Sequence, residues 1–192
     1  ASTVTVIAKA AAPLPLGVTD TVNVELDTRL DNRFLDLRRE HIAAMFRLRG
    51  KVLQYGREAL INEGFFETHT PKIVATATEG GTDLFPMQYF DTPAFLNQSP
   101  QLFKQLCMSG GLERVFEIGP AFRAEKHDTY RHLNEFISFD IECSWSTDDD
   151  VMGVLERMIH HIWQSIADDD ESQSYIARIN DFRASKDEEP IE

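Results

Sequence analysis

RVFEIGPAFR (residues 114–123) and FISFDIECSW (136–145) are the two stretches whose reading decides the fold. Each alternates apolar and polar positions, and alternate side chains along a strand point to opposite faces. One face carries Phe116, Ile118, Pro120 and Phe122 with Ile137, Phe139, Ile141, Cys143 and Trp145, and belongs on a core. The other carries Val115, Glu117, Gly119, Ala121 and Arg123 with Ser138, Asp140, Glu142 and Ser144. There Glu117, Arg123, Asp140 and Glu142 surround two small residues, a floor suited to a ligand with both cationic and anionic groups. An ordinary half-exposed antiparallel sheet shows the same alternation, so the pattern alone leaves both readings open.

The neighbouring sequence flanks this pair with helices. Residues 41–63 place Ile42, Met45, Leu48, Val52, Leu53, Leu60 and Ile61 at helical spacing, with Gly64 as the stop. Short extended pieces are expected at 65–68 and 72–74, a loop at 76–82, and a hairpin from 84–90 and 94–96. Residues 100–109 read as a short helix with proline in its first turn, ended by Gly110 and Gly111. A polar loop, 124–135, joins the two diagnostic strands, and 148–166 reads as a second amphipathic helix opened by three aspartates. Beyond Asp168 the composition turns acidic and no closing element is evident. At the start, TVTVI (3–7) reads as a short strand, and the proline- and glycine-containing 8–20 as a hinge.

With 192 residues, 42% hydrophobic and 27% charged, the chain is sized for one globular domain or a domain plus part of another. No run approaches the roughly 20 apolar residues of a membrane span. Cys107 and Cys143 form neither a CxxC nor a disulfide framework, so a reduced, cytoplasmic setting is expected. The net charge of −13 is uneven: residues 140–192 hold 15 acids and 4 bases, whereas 29–72 hold 9 bases and 6 acids. The total therefore does not exclude a phosphate-bearing partner, because binding follows where the bases sit.

Four stretches together resemble a known family. FRAE (122–125) with RHLNEF (131–136) is similar to the second signature motif of class II aminoacyl-tRNA synthetases. GFFETHTPKI (64–73) resembles their first motif, an interface helix and strand ending in a fixed proline. QSPQLFKQ (98–105) and TEGGT (78–82) resemble the aspartate-recognition segments of the archaeal and eukaryotic type of aspartyl-tRNA synthetase. The likeness covers about residues 26–163, most of the chain.

The resemblance implies an α+β fold, an antiparallel sheet flanked by helices. It also implies ATP-dependent activation of aspartate to aspartyl-adenylate, followed by transfer to tRNA. Arg123 matches the arginine on the α-phosphate, the catalytic assignment. Glu125, His132 and Phe136 match further ATP-binding positions, Phe136 as the adenine platform. Lys104 matches the lysine paired with the substrate's side-chain carboxylate, Gln101 its neighbour, and Glu79 and Asp140 the acids for the α-ammonium. This pattern needs no protein nucleophile, since the substrate carboxylate is one; it needs positioning and charge neutralisation. Lys104 favours aspartate over asparagine, because a neutral amide would leave a buried ammonium unpaired.

Expected partners are aspartate, ATP, tRNA and a second copy of the chain through 41–73, with no membrane. Magnesium is expected to accompany ATP, its ligands lying mostly outside this segment; none of the site residues is assigned to metal. In domain terms, 1–10 would be the last strand of an anticodon-binding barrel, 11–40 a hinge, and 41–192 the first part of a catalytic domain. The family's third, glycine-rich motif is not found, so the 192-residue piece alone is expected to be inactive. An asparaginyl-tRNA synthetase, a tRNA-independent paralogue that amidates aspartate, and a non-catalytic dimerisation or tRNA-binding module remain alternatives.

Overall fold

The computed structural model describes residues 3–19, 22–76, 84–127, 129 and 132–191. The chain divides into two compact units, Val52–Ser165 and Ala1–Lys51 with Ile166–Glu192. Two long helices, α3 (Glu40–Asn62) and α5 (Asp148–Asp168), contribute residues to both.

The larger unit is built on the diagnostic pair. β5 (Arg114–Phe122) and β6 (Glu135–Cys143) run antiparallel with Phe116 opposite Ile141, Glu117 opposite Asp140 and Ala121 opposite Phe136. Within the paired residues, that register places Phe116, Ile118 and Pro120 opposite Ile141, Phe139 and Ile137, and Glu117 and Gly119 opposite Asp140 and Ser138, as the alternation predicts. On the apolar side Phe116 packs with Leu60, Phe65 and Val154, bordered by Ile118, Phe139, Ile141, Cys143 and Met158. Each of the four central side chains contributes roughly 1.5–3 kcal/mol by burial. Close approach of α3 to the sheet depends on Gly56, where a Cβ would lie 2.6 Å from the Phe139 ring. Gly64, at φ +80°, ends α3, with Phe65 N–H donating to Leu60 O (3.0 Å) and Gly64 N–H to Ile61 O (3.0 Å).

β1 (Phe66–Glu67) adds to β5 in parallel, so this sheet is mixed rather than wholly antiparallel. The long excursion between these strands makes a parallel pairing possible. Within that excursion β2 (Ile73–Val74), β3 (Pro86–Tyr89) and β4 (Thr92–Leu96) form a second, antiparallel sheet in the order β2-β4-β3. Then α4 (Gln101–Ser109) precedes β5.

The smaller unit contains α1 (Leu26–Asp31), α2 (Arg33–Asp36), the start of α3, the end of α5 and α6 (Asp170–Ala184). Asp36 is fully buried among Arg29 (2.8 Å), Arg33 (2.5 Å) and Arg39 (3.6 Å). Burial alone would raise its pKa, but the hydrogen bond from Arg29 and the three guanidinium charges outweigh this and hold it below the usual carboxylate range. The acidic tail, expected to lack a closing element, instead forms α6. Asp169 caps it by accepting from Ser172 N–H (3.2 Å) and Ser172 Oγ (2.6 Å), and Asp170 and Glu171 fill its first turn. The acids that follow Asp168 are thus a helix start.

Three other expectations change. Residues 3–7 form no strand, and Val4, Val6 and Ile7 are exposed, because a strand needs a ladder partner and none reaches them among the described residues. Met45 and Ile61, placed on the buried stripe of α3, are exposed, while Ala44 and Ala59 are buried. Trp145 lies past the end of β6, at φ +57° and 93% exposed, rather than on the core face. No helix among the described residues is long and apolar enough to cross a membrane.

Candidate active site

The polar face of β5 and β6 carries two groups of side chains. The first is assembled from α4 and β6. Lys104, on α4, is only 2% exposed. Its Nζ donates to Ile141 O (3.1 Å) and lies 3.4 Å from both Asp140 Oδ1 and Glu142 Oε2. Asp140 and Glu142, two apart on β6, face the same way, and Gln101 donates through Nε2 to Glu142 Oε2 (3.2 Å). Two donors of the ammonium are hydrogen-bonded, to Ile141 O and Asp140, and Glu142 stands beside them as an ion-pair partner. The two ionic contacts are longer than the roughly 2.7–2.9 Å of a strong charge-assisted bond. They are thus suited to exchange for a ligand. Lys104 could have been a solvated helix residue; the structure buries it, in one polar cluster with the half-buried Gln101 and Asp140. Glu142, which the sequence placed on the floor without a role, is its fourth member, legible only through its parity with Asp140.

The second group surrounds a cavity of about 500 Å³ lined by Arg123, Glu125, His132, Leu133 and Phe136. Arg123 follows β5 directly, and its N–H donates to Asn134 O (3.0 Å). Its guanidinium lies over the Phe136 ring, 5.4 Å from the centroid. His132 Nδ1 is 2.7 Å from Thr129 Oγ1, and its ring is 5.2 Å from that of His127. Glu125 N–H donates to Arg123 O (2.8 Å), turning the chain at the cavity mouth. The four residues assigned to ATP therefore share one cavity.

Lys104 and Asp140 do not line that cavity. The alternation puts Arg123 and Asp140 on one floor, and the resemblance gives Lys104 and Asp140 to the same substrate, so one shared cavity would follow. Instead Asp140 and Phe136 lie on one face of β6, four residues apart, or about 13 Å at 3.3 Å per residue. The two groups share a sheet face rather than a pocket. Glu79 falls outside the described residues.

The floor between the groups differs from expectation in one respect. Glu117 is 2% exposed and bound: Thr70 Oγ1 donates to Oε2 (2.6 Å), and Lys72 Nζ to Oε1 (2.5 Å). A Cβ at position 119 would lie 2.9 Å from Glu117 Oε1. The space beside Gly119 is thus taken by the Glu117 carboxylate rather than left open for a ligand. Alternation showed which side Glu117 faces; that a segment 45 residues earlier would cover it was not legible.

The larger unit is thus a mixed sheet with a buried lysine beside two carboxylates and an arginine–aromatic cavity on its polar face, and with Leu60 of α3 and Val154 of α5 packed on its apolar face. Residues 25–189 match the family model for class II tRNA synthetases of the D, K and N type, and the chain belongs to that family. It is 60% identical over 163 residues to an aspartate–tRNA(Asp/Asn) ligase of Archaeoglobus fulgidus, covering 85% of this chain and 38% of that protein. An aspartate–tRNA(Asp) ligase of Pyrococcus abyssi is 50% identical over 187 residues, 97% of this chain and 42% of that protein. Among solved structures, an asparaginyl-tRNA synthetase of Pyrococcus horikoshii complexed with asparaginyl-adenylate superposes with a TM-score of 0.72 at 30% identity. It covers 88% of this chain and 38% of that one. The chain spans about two fifths of the length of these relatives.

Proposed function

We propose that the protein containing this chain is an aspartate–tRNA ligase that activates aspartate with ATP and transfers it to tRNA. The observation that carries this reading is the buried Lys104 ammonium held between Asp140 and Glu142. Aspartate brings an ammonium and a side-chain carboxylate. Both can be accommodated if the Lys104–Asp140 contact is exchanged for two pairs, ammonium with Asp140 and carboxylate with Lys104. Gln101, already on Glu142, keeps the second acid in place during the exchange, and Glu79 is the other acid offered to the ammonium. One internal ion pair is thereby replaced by two to the ligand, which favours a substrate carrying both charges.

In the chemical step an α-carboxylate oxygen of aspartate forms a bond to the α-phosphorus of ATP. The bond to the bridging oxygen breaks, and pyrophosphate leaves with its electron pair. Arg123 offers a planar guanidinium to the α-phosphate as charge develops there. Phe136 provides the ring for adenine, and Glu125 and His132 border the same cavity. A tRNA ribose hydroxyl then attacks the adenylate's carbonyl carbon and releases AMP. Magnesium would travel with the ATP phosphates. Among the described residues no group of three or more His, Cys, Asp or Glu is placed to hold a metal, and no step here passes through one.

We read 1–10 as the end of an anticodon-binding barrel, 11–40 as a hinge and 41–192 as the first part of the catalytic domain, in a cytoplasmic homodimer. Exposed Ile61, Phe66 and Ile73 within 41–73 support the dimer. Likeness to the asparaginyl structure favours a second reading, activation of asparagine; Lys104 weighs against it. The test is ATP–pyrophosphate exchange by the full-length protein with each amino acid. Aspartate should exceed asparagine by about 10²-fold or more, as a site with a buried charged partner rejects the ligand lacking it. Parity, or a preference for asparagine, would overturn the reading, and so would binding of tRNA without any exchange.

A further inference from the structure

Asn97 lies where three segments of the larger unit meet. It is fully buried, directly before QSPQLFKQ. Its backbone N–H donates to Lys72 O (3.0 Å), and its side-chain Nδ2 donates to Pro71 O (3.2 Å). Its own carbonyl accepts from Phe122 N–H (3.0 Å). Phe122 is the last residue of β5, and Arg123 comes next. Lys72, in turn, holds Glu117, which stands opposite Asp140 in the ladder. One residue therefore joins the proline of the first motif to the end of the strand that delivers Arg123 and to the start of the segment that delivers Lys104.

The amide is oriented by Pro71 O, which needs a donor. Asn97 Oδ1 is then left without one among the described residues. Burying an acceptor in that state is destabilising, so asparagine is not the side chain that packing alone would select there.

We propose that Asn97 is a positioning residue. Its side-chain bond to Pro71 sets the separation between Arg123 and Lys104, and so the alignment of the amino acid's carboxylate with the α-phosphorus. This rests on the ligase reading above. Reaction geometry is steep in such a site, where a displacement of about 1 Å can cost about 10²-fold in rate.

The test uses the full-length protein and aspartate-dependent ATP–pyrophosphate exchange. Asn97→Leu keeps the size of the side chain and removes the amide. It should lower kcat about 10²-fold, while KM for aspartate and for ATP changes by less than about threefold, since both sets of binding side chains are intact. Asn97→Asp adds a readout that a purely structural role would not move. Ionised, the carboxylate repels Pro71 O; protonated, its O–H can donate there as Nδ2 does. Exchange by this variant should therefore recover as pH falls, relative to the unsubstituted protein at each pH. Should the leucine variant fail to fold, this pH profile decides alone. A normal kcat with only a lowered melting temperature, or a profile parallel to that of the unsubstituted protein, would overturn the proposal. Absence of aspartate-dependent exchange in the unsubstituted protein would instead remove the ligase reading, and the positioning role with it.

Discussion

The two groups on the sheet face differ in how complete they are without a ligand. Around Lys104 the protein supplies both signs of charge: an ammonium, two carboxylates and an amide, bonded to one another and largely withdrawn from water. Around Arg123 there is an open cavity of about 500 Å³. Its arginine rests on an aromatic ring, and its histidine and Leu133 are exposed. The amino-acid side is an ion-pair network that a ligand must enter by exchange. The nucleotide side is a surface that a ligand fills. Binding at the first is a competition with internal partners, so its selectivity depends on charge matching; at the second, cavity shape and stacking matter more.

Substitutions can break or sharpen this contrast. The largest effect on activity is expected for Arg123→Ala, which should lower kcat of ATP–pyrophosphate exchange by about 10³-fold, as for loss of a donor that meets developing charge. Its melting temperature should fall less than that of a Lys104 variant, since the guanidinium lies over the Phe136 ring and lines an open cavity instead of standing between two acids. A loss as large would mean that the nucleotide side is as integral to the fold as the amino-acid side. Lys104→Met should lower kcat/KM for aspartate by about 10²-fold and also destabilise the protein by roughly 2–4 kcal/mol, because Asp140 and Glu142 would be left facing each other. Calorimetry beside the kinetics checks both, and unchanged stability would show that the cluster is not an internal ion-pair network. Phe136→Leu should act least, raising KM for ATP about tenfold through loss of stacking worth about 1–1.5 kcal/mol, with KM for aspartate unchanged.

The smaller unit offers a parallel case. Asp36 is held by three guanidiniums, and its carboxyl is depressed by them despite complete burial. A depressed carboxyl contributes stability that is present above the unfolded pKa, about 3.9. It is lost as pH falls from there through the folded value. Like Lys104, Asp36 is a charge that the fold buries only because opposite charges converge on it.

Period-two alternation in 114–123 and 136–145 made both faces of the central pair legible, because a buried face forces register. The helices on either side were legible from their apolar spacing, and α4 from its proline start. Met45 and Ile61 were misplaced because a helical stripe shows that a residue faces something, not whether that something lies within the chain. In α6, capping by Asp169 looks the same in sequence as a solvated acidic run until the Ser172 bonds are seen.

Local chemistry, read from residue order alone, determined the strand pair, its two faces, the helix stops and the residue types offered to a doubly charged amino acid and a nucleotide. Only the tertiary structure decided that Lys104 is buried between two acids, that Glu117 belongs to Thr70 and Lys72, and that Asn97 ties three distant segments together. The physical reason is range. Alternation and capping act over a few residues and leave their mark in the spacing. A buried charge or amide is satisfied by whatever groups the packed chain brings within about 3 Å, and those lie 26 to 47 residues away.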